Sequence, residues 1–128
     1  MRAVRKCLRG EIYWVELPHP AGEPPAAARK TKIRPVLVLQ NNRDNLNPRH
    51  PTVVVAPLTT KGLDRQYDTD VLIQARESGL PHDSRVLLGQ ITTIFKSLLG
   101  KRVGRLSAAR MDDIETALLI ALGVIEPE

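Results

Sequence analysis

Short apolar runs broken by proline, glycine and polar residues fill most of this chain, and the spacing becomes helical only near its end. Glu11-Ile12-Tyr13-Trp14-Val15-Glu16-Leu17 alternates apolar with other positions and is rich in strand formers, which predicts a first strand. Its core-facing side chains are expected to be Ile12, Val15, Leu17 and either Tyr13 or Trp14. The run from Pro35 to Gln40 is apolar on both faces and predicts a strand buried within a sheet. Thr52 to Leu58 is β-branched at its centre and predicts another, which Pro57 should end or confine to an edge, because proline cannot donate to a ladder. Asp70–Ile73, Ser84–Leu88 and Lys101–Leu106 read as further strands. Gln90–Phe95 reads as a continuation past a bulge at Gly89. Ser107 is a suitable N-cap, Asp112 and Asp113 are expected near the helix start, and Met111, Ile114, Leu118 and Leu122 mark an apolar helical stripe. The pattern predicts a mainly β chain: five to seven short strands in a small barrel-like sheet, closed by one C-terminal α-helix.

Three connections interrupt this pattern where chemistry could reside. Residues 18–32 begin proline-rich and end densely basic, a loop long enough in so small a chain to be functional or disordered. Residues 41–51 are polar and turn-rich. Thr59-Thr60-Lys61-Gly62 places two hydroxyls and a cation where a strand stops. Ahead of the second strand, Pro35 fixes its own φ and pushes Arg34 into extended geometry, which holds a guanidinium at the rim of a rigid element.

With 128 residues, one domain over 1–128 is expected, with residues 1–8 a flexible N-terminal extension. Aromatic residues are only 3%, so aliphatics must fill the core, and most of Tyr13, Trp14, Tyr67 and Phe95 are expected there. No apolar run approaches the roughly 20 residues that span a bilayer. The single cysteine, Cys7, excludes an internal disulfide framework and a cysteine-based zinc site, and His19, His50 and His82 are not at ligand spacing. A cytoplasmic protein without metal or cofactor is the expectation. Net charge is +5, unevenly spread: residues 1–50 carry ten Lys/Arg against four Asp/Glu, residues 107–128 one against five. A basic body with an acidic tail suits an anionic partner.

Six segments in a set order carry a resemblance: Arg9-Gly10-Glu11-Ile12-Tyr13-Trp14-Val15, Arg34-Pro35-Val36-Leu37-Val38, Ala56-Pro57-Leu58-Thr59, Asp83-Ser84-Arg85-Val86-Leu87-Leu88, Gln90-Ile91-Thr92-Thr93-Ile94 and Leu99-Gly100-Lys101-Arg102-Val103-Gly104. Together, from Arg9 to about Leu122, they resemble the MazF/PemK/Kid family of bacterial toxins. The resemblance implies an SH3-like barrel, a homodimer, and metal-independent endoribonuclease activity on single-stranded RNA, checked by a cognate antitoxin. DNA would be bound only through the antitoxin complex, if at all. It assigns Arg34 and Thr59 as the active-site pair and Glu23 as the acidic residue of the first loop. The chain departs from the family pattern at Gly89, where several members carry an acid, at Thr92 and at Phe95.

Metal-free RNA cleavage uses the ribose 2′-hydroxyl as internal nucleophile, so the protein must align it, move two protons and stabilise phosphoryl charge. Arg34 suits the last task through its bidentate fork, and Thr59 offers a second donor. Glu23 is the expected base, with His19 a second choice. Lys32, Thr60, Lys61, Ser84 and Gln90 are the expected RNA contacts, with Arg29 and Lys30 adding phosphate-tracking charge. Two rivals stand beside this reading: a gyrase-poisoning CcdB-like toxin, which the ending Ile125-Glu126-Pro127-Glu128 disfavours, and a weakly catalytic relative that only binds RNA or antitoxin.

Overall fold

The architecture turns on its longest strand. The computed structural model describes residues 5–17, 32–65 and 67–128, and among these seven strands form one sheet: β1 (Glu11–Leu17), β2 (Lys32–Val38), β3 (Thr52–Thr59), β4 (Asp70–Ile73), β5 (Ser84–Leu87), β6 (Thr92–Phe95) and β7 (Leu99–Arg105). The order is β4-β5-β3-β2-β1-β7, all antiparallel, with β6 also on β3. The first half of β3 pairs with β6 and its last two residues with β5.

Only Lys96–Leu98, a single 3₁₀ turn, separates β6 at one side of this arrangement from β7 at the other. Four chain steps reach at most about 14 Å, whereas five flat strands place their outer members about 19 Å apart. The strands therefore roll up, and a barrel-like sheet results. Its inner face is aliphatic, as the composition demanded: Val15, Val36, Val38, Val53, Val55, Ile94 and Leu99 pack with Tyr13 and Cys7. The alternate residues Ile12, Leu37, Leu39, Ala56 and Leu58 point to the other face, where Ile73, Val86, Leu88 and the C-terminal helix α3 (Ala108–Ala121) cover them. Both faces of β2 are buried from Val36 onward, as its unbroken apolar run predicts.

Several expectations need correction. β2 starts at Lys32, so Arg34 lies inside a strand and not at its threshold. β3 continues through Pro57 to Thr59; what ends at Pro57 is its ladder to β2. The break near Gly89 is larger than a bulge. Leu58 faces Val86 and Val55 faces Thr92, and the extra residues form a 3₁₀ turn at Leu88–Gln90. Two polar connections contain four-residue helices, α1 (Asn42–Asn45) and α2 (Ala75–Ser78). Ser107 caps α3 by accepting from Arg110 N at 3.2 Å, but Asp112 and Asp113 lie beyond its first turn. The buried stripe is Ile114 and Ala117, flanked by Met111 and Leu118, while Leu122 is 58% exposed because the helix has already ended.

Of the four aromatics only Tyr13 is fully in the core. Phe95 is 61% exposed and Tyr67 55%. Residues 5–8, expected to be free, pack on the body: Cys7 is buried, and Arg5 donates to Leu99 O at 2.9 Å and lies over the Tyr13 ring. Lys96 is wholly buried, and its Nζ donates to Asp44 O at 2.7 Å and Asn47 O at 3.2 Å, which ties the β6–β7 turn to α1.

Candidate active site

Proline chemistry opens the site. The β2–β3 ladder runs from Val38↔Val55 to Val36↔Pro57 and stops, although β2 extends back to Lys32 and β3 forward to Thr59. Pro35 and Pro57 at this point have no N–H to donate, so nothing zips the strands further. β2 stays with β1, where Val15 faces Arg34 and Trp14 faces Pro35, while β3 leaves to pair with β5. Between the parting strands lies a cavity of about 200 Å³.

Six of the eight expected site residues line it: Lys32 and Arg34 from β2, Thr59 at the end of β3, Thr60 and Lys61 beyond it, and Ser84 at the start of β5. Gln90 does not; it sits exposed in the 3₁₀ turn after β5. Glu23 falls outside the described residues, as do His19, Arg29 and Lys30. Among the described residues no carboxylate lines the cavity, and none of their His, Cys, Asp and Glu side chains gather in threes as a metal ion would need.

Local structure fixes the polar groups. Thr59 Oγ1 accepts from Lys61 N at 3.2 Å, which shapes the turn and leaves its O–H able to donate. Arg85, buried one strand away, holds the same loop: its Nε donates to Lys61 O at 2.9 Å while its Nη1 pairs with Asp70. Ser84 Oγ donates to His82 O at 3.2 Å. Sequence reasoning missed three contributors. Trp14 is half-buried and walls the cavity, Arg85 anchors its loop, and His82 lines its edge. Neither Trp14 nor Arg85 carried a signal in the sequence: Trp14 becomes a wall only through its register opposite Pro35, and a buried arginine inside an apolar strand declares itself only through its partners.

A second charged centre is built differently. Glu11, buried on β1, accepts from Leu8 N at 2.6 Å and Tyr13 Oη at 2.8 Å, and pairs with Arg102 of β7. Burial opposes its charge, but the hydrogen bonds from Tyr13, Arg102 and Leu8 outweigh burial and hold the carboxyl below its ordinary range. Burial and then the bond to Glu11 push the Tyr13 phenol up to about 12.

With this geometry in place, known proteins can be compared. A model of the PemK-like, MazF-like toxins of type II toxin-antitoxin systems matches residues 8–122. The chain belongs to this family. A similar relative is endoribonuclease EndoA of Bacillus subtilis (strain 168), 36% identical over 118 residues, which cover 92% of this chain and 96% of that protein. Among solved structures, an endoribonuclease from a mycobacterial species superposes with a TM-score of 0.73 at 29% identity, covering 97% and 98% of the two chains. A mycobacterial endoribonuclease in complex with its cognate antitoxin gives 0.70 at 31% identity, covering 94% and 99%. The toxin fold of this family is thus the fold of this chain over nearly its whole length.

Proposed function

We propose that this toxin is an endoribonuclease that cleaves single-stranded RNA in the cavity between β2 and β3, without a metal. The observation that carries the reading is the meeting of Arg34 and Thr59, far apart in sequence, on two strands that separate at a pair of prolines. In this mechanism the 2′-oxygen forms a bond to phosphorus as its proton is removed. The P–O5′ bond breaks, and the 5′-oxygen gains a proton, leaving a 2′,3′-cyclic phosphate and a 5′-hydroxyl. Arg34 stabilises the charge on the phosphoryl oxygens through its fork, and the Thr59 hydroxyl donates a second hydrogen bond. A guanidinium has no acceptor atom and cannot take the proton. The family resemblance offers Glu23 for that task. Lys32, Lys61 and Thr60 hold neighbouring phosphates, Ser84, buried with its hydroxyl donated to His82 O, shapes the cavity wall, and Gln90 contacts the strand outside the cavity.

Two partners complete the reading. The relative solved with its cognate antitoxin supports an antitoxin for this chain, and an extended acidic segment would compete with RNA for the cationic cavity. Exposed Phe95 and Leu98, adjoining on β6 and the turn after it, support a second copy of the chain as a further partner. Sedimentation should give a dimer at micromolar concentration, and a monomer there would remove that element. The function itself is tested with pure protein, single-stranded RNA and excess EDTA. Cleavage should persist and leave 5′-hydroxyl ends; loss on chelation, or 5′-phosphate ends, would overturn the mechanism.

A further inference from the structure

The reaction needs a group that takes a proton near neutral pH, and the described lining of the cavity restricts the choice. Lys32, Arg34 and Lys61 are donors without an acceptor lone pair when charged. Thr59, Thr60 and Ser84 are hydroxyls, far too weakly basic to hold the proton. The Trp14 indole is a donor only. His82 remains: a neutral imidazole carries a free nitrogen lone pair that can accept a proton. We propose that His82 is the general base of RNA cleavage, accepting the ribose 2′-hydroxyl proton on its unprotonated ring nitrogen. The inference rests on reading the cavity as the cleavage site, and it gives His82 the task otherwise left to Glu23.

The chain around His82 is held in place from both sides. Ser84 Oγ donates to His82 O at 3.2 Å, and Asp83 Oδ1 accepts from Ala75 N, the first residue of α2, at 2.8 Å. Pro81 precedes it and fixes its own φ. Immediately after comes β5, whose Arg85 faces Thr59 across the ladder, so the strand pair that positions the Thr59 hydroxyl also positions the imidazole's backbone. The ring itself is exposed and can meet a substrate. His82 and Thr60 also border a second recess of about 540 Å³, next to Leu63 and Asp83, so a strand running from one recess to the other passes His82.

In the step, His82 takes the proton from O2′ as O2′ bonds to phosphorus. The P–O5′ bond breaks, the 5′-oxygen takes a proton from water, and the imidazolium later returns its own to solvent. The titratable and charged groups sharing its surroundings are Lys32 and Arg34 from β2, Lys61 from the loop after β3, and the adjacent Asp83. Only the neutral ring works as base, so cleavage by this route is lost once acid protonates the ring.

The test measures kcat and RNA affinity from pH 5 to 9 for the full-length wild type, His82→Phe, His82→Gln, Glu23→Gln and Arg34→Ala. His82→Phe keeps a ring that can stack on a base but has no proton acceptor. General-base removal is expected to lower kcat in both His82 variants by about 10²–10⁴-fold, with RNA affinity within about threefold and the acidic limb abolished. In a further variant, His82→Ala, added imidazole should restore cleavage in proportion to its concentration. The inference is overturned if His82→Phe keeps kcat within about threefold, if the variants lose affinity alone, or if Glu23→Gln and not the His82 variants abolishes the limb. Normal cleavage by Arg34→Ala would instead overturn the cavity reading, and the inference with it.

Discussion

Around Glu11 each charge finds its answer inside the fold. A carboxylate is met by a guanidinium, a phenol and a backbone amide, and strands β1 and β7 are tied together as a result. The cavity between β2 and β3 is lined by three cations, three hydroxyls and an imidazole, and by no carboxylate among the described residues. Opposite signs at hydrogen-bonding distance serve folding, because a buried charge with its donors supplied has little left to offer a ligand. Like signs around a cavity repel one another, and an incoming polyanion relieves that repulsion. The contrast predicts that substitutions at the two centres fail differently: one set through activity, the other through stability.

Among the substitutions that contrast the two centres, the largest effect belongs to Arg34. Removing one preorganised donor from a developing oxyanion typically costs 10²–10³ in rate, or about 3–4 kcal/mol. Arg34→Ala and Thr59→Val should each lose at least that much RNA cleavage, with an unchanged circular dichroism spectrum. Arg34→Lys should recover little, since an ammonium cannot reproduce the fork. Near-normal turnover in a folded Arg34→Ala protein would erase the contrast.

Glu11→Ala should do the reverse. It strands the buried Tyr13 hydroxyl and leaves Arg102 without its carboxylate, and an unsatisfied buried donor costs on the order of 2 kcal/mol. Denaturant unfolding should show the loss, while cleavage per folded molecule stays near the parent's. If Glu11→Ala kept full stability but lost activity, the two centres could not be assigned separate tasks.

The same centre sets a pH dependence. Tyr13 has its folded pKa raised to about 12 from the ordinary 10. Its contribution to stability is therefore complete below pH 10 and disappears as pH rises toward 12. Glu11 has a lowered pKa, so its contribution is present above its ordinary 4.5 and is lost as pH falls from there through the folded value. Melting temperature against pH should fall at both ends. Tyr13→Phe should flatten the alkaline fall, and an unchanged fall in that variant would show that another group carries it.

How much of this was legible in the sequence depends on whether a feature is local. Alternation along residues 11–17, the two-faced run after Pro35 and the Ser107 cap are local, and they fixed the strands, the helix and the curled sheet. Arg34 and Thr59 were singled out by the family resemblance; what their own neighbourhood shows is a proline next to Arg34 and another two positions before Thr59, where the β2–β3 ladder stops. Arg34 was nonetheless misplaced by two residues, since pairing with β1 extends β2 past the proline. The turn at Leu88–Gln90 was under-read because a glycine marks a break but not its length. Buried Lys96 and Arg85 were illegible: their partners are carbonyls and a carboxylate brought near only by folding. His82 looked like one scattered histidine until β5 set it beside β3. The choice between Tyr13 and Trp14 for the core was left open, and the wall that Trp14 forms was not legible, because a strand pattern cannot reveal a gap between neighbouring strands.

The smallest predicted effect gives the finest distinction between the two centres. Lys32 and Lys61 line the cavity, and each would neutralise one phosphate of a bound strand. Releasing one counterion per contact gives a slope of about −0.7 in log affinity against log salt for single-stranded nucleic acid. Lys32→Gln and Lys61→Gln should therefore each flatten the slope for RNA binding by about 0.7, with a modest loss of affinity that nearly vanishes at high salt. Arg102→Gln removes the same unit of charge from a side chain that is itself half exposed, but one committed to Glu11. Global charge alone would make all three substitutions equivalent, because each lowers the net charge by one. If position decides, only the two lysines flatten the slope, and Arg102→Gln leaves it within error while lowering the melting temperature. Equal flattening by all three would mean that RNA senses the basic body as a whole and that the cavity has no privileged claim on the strand.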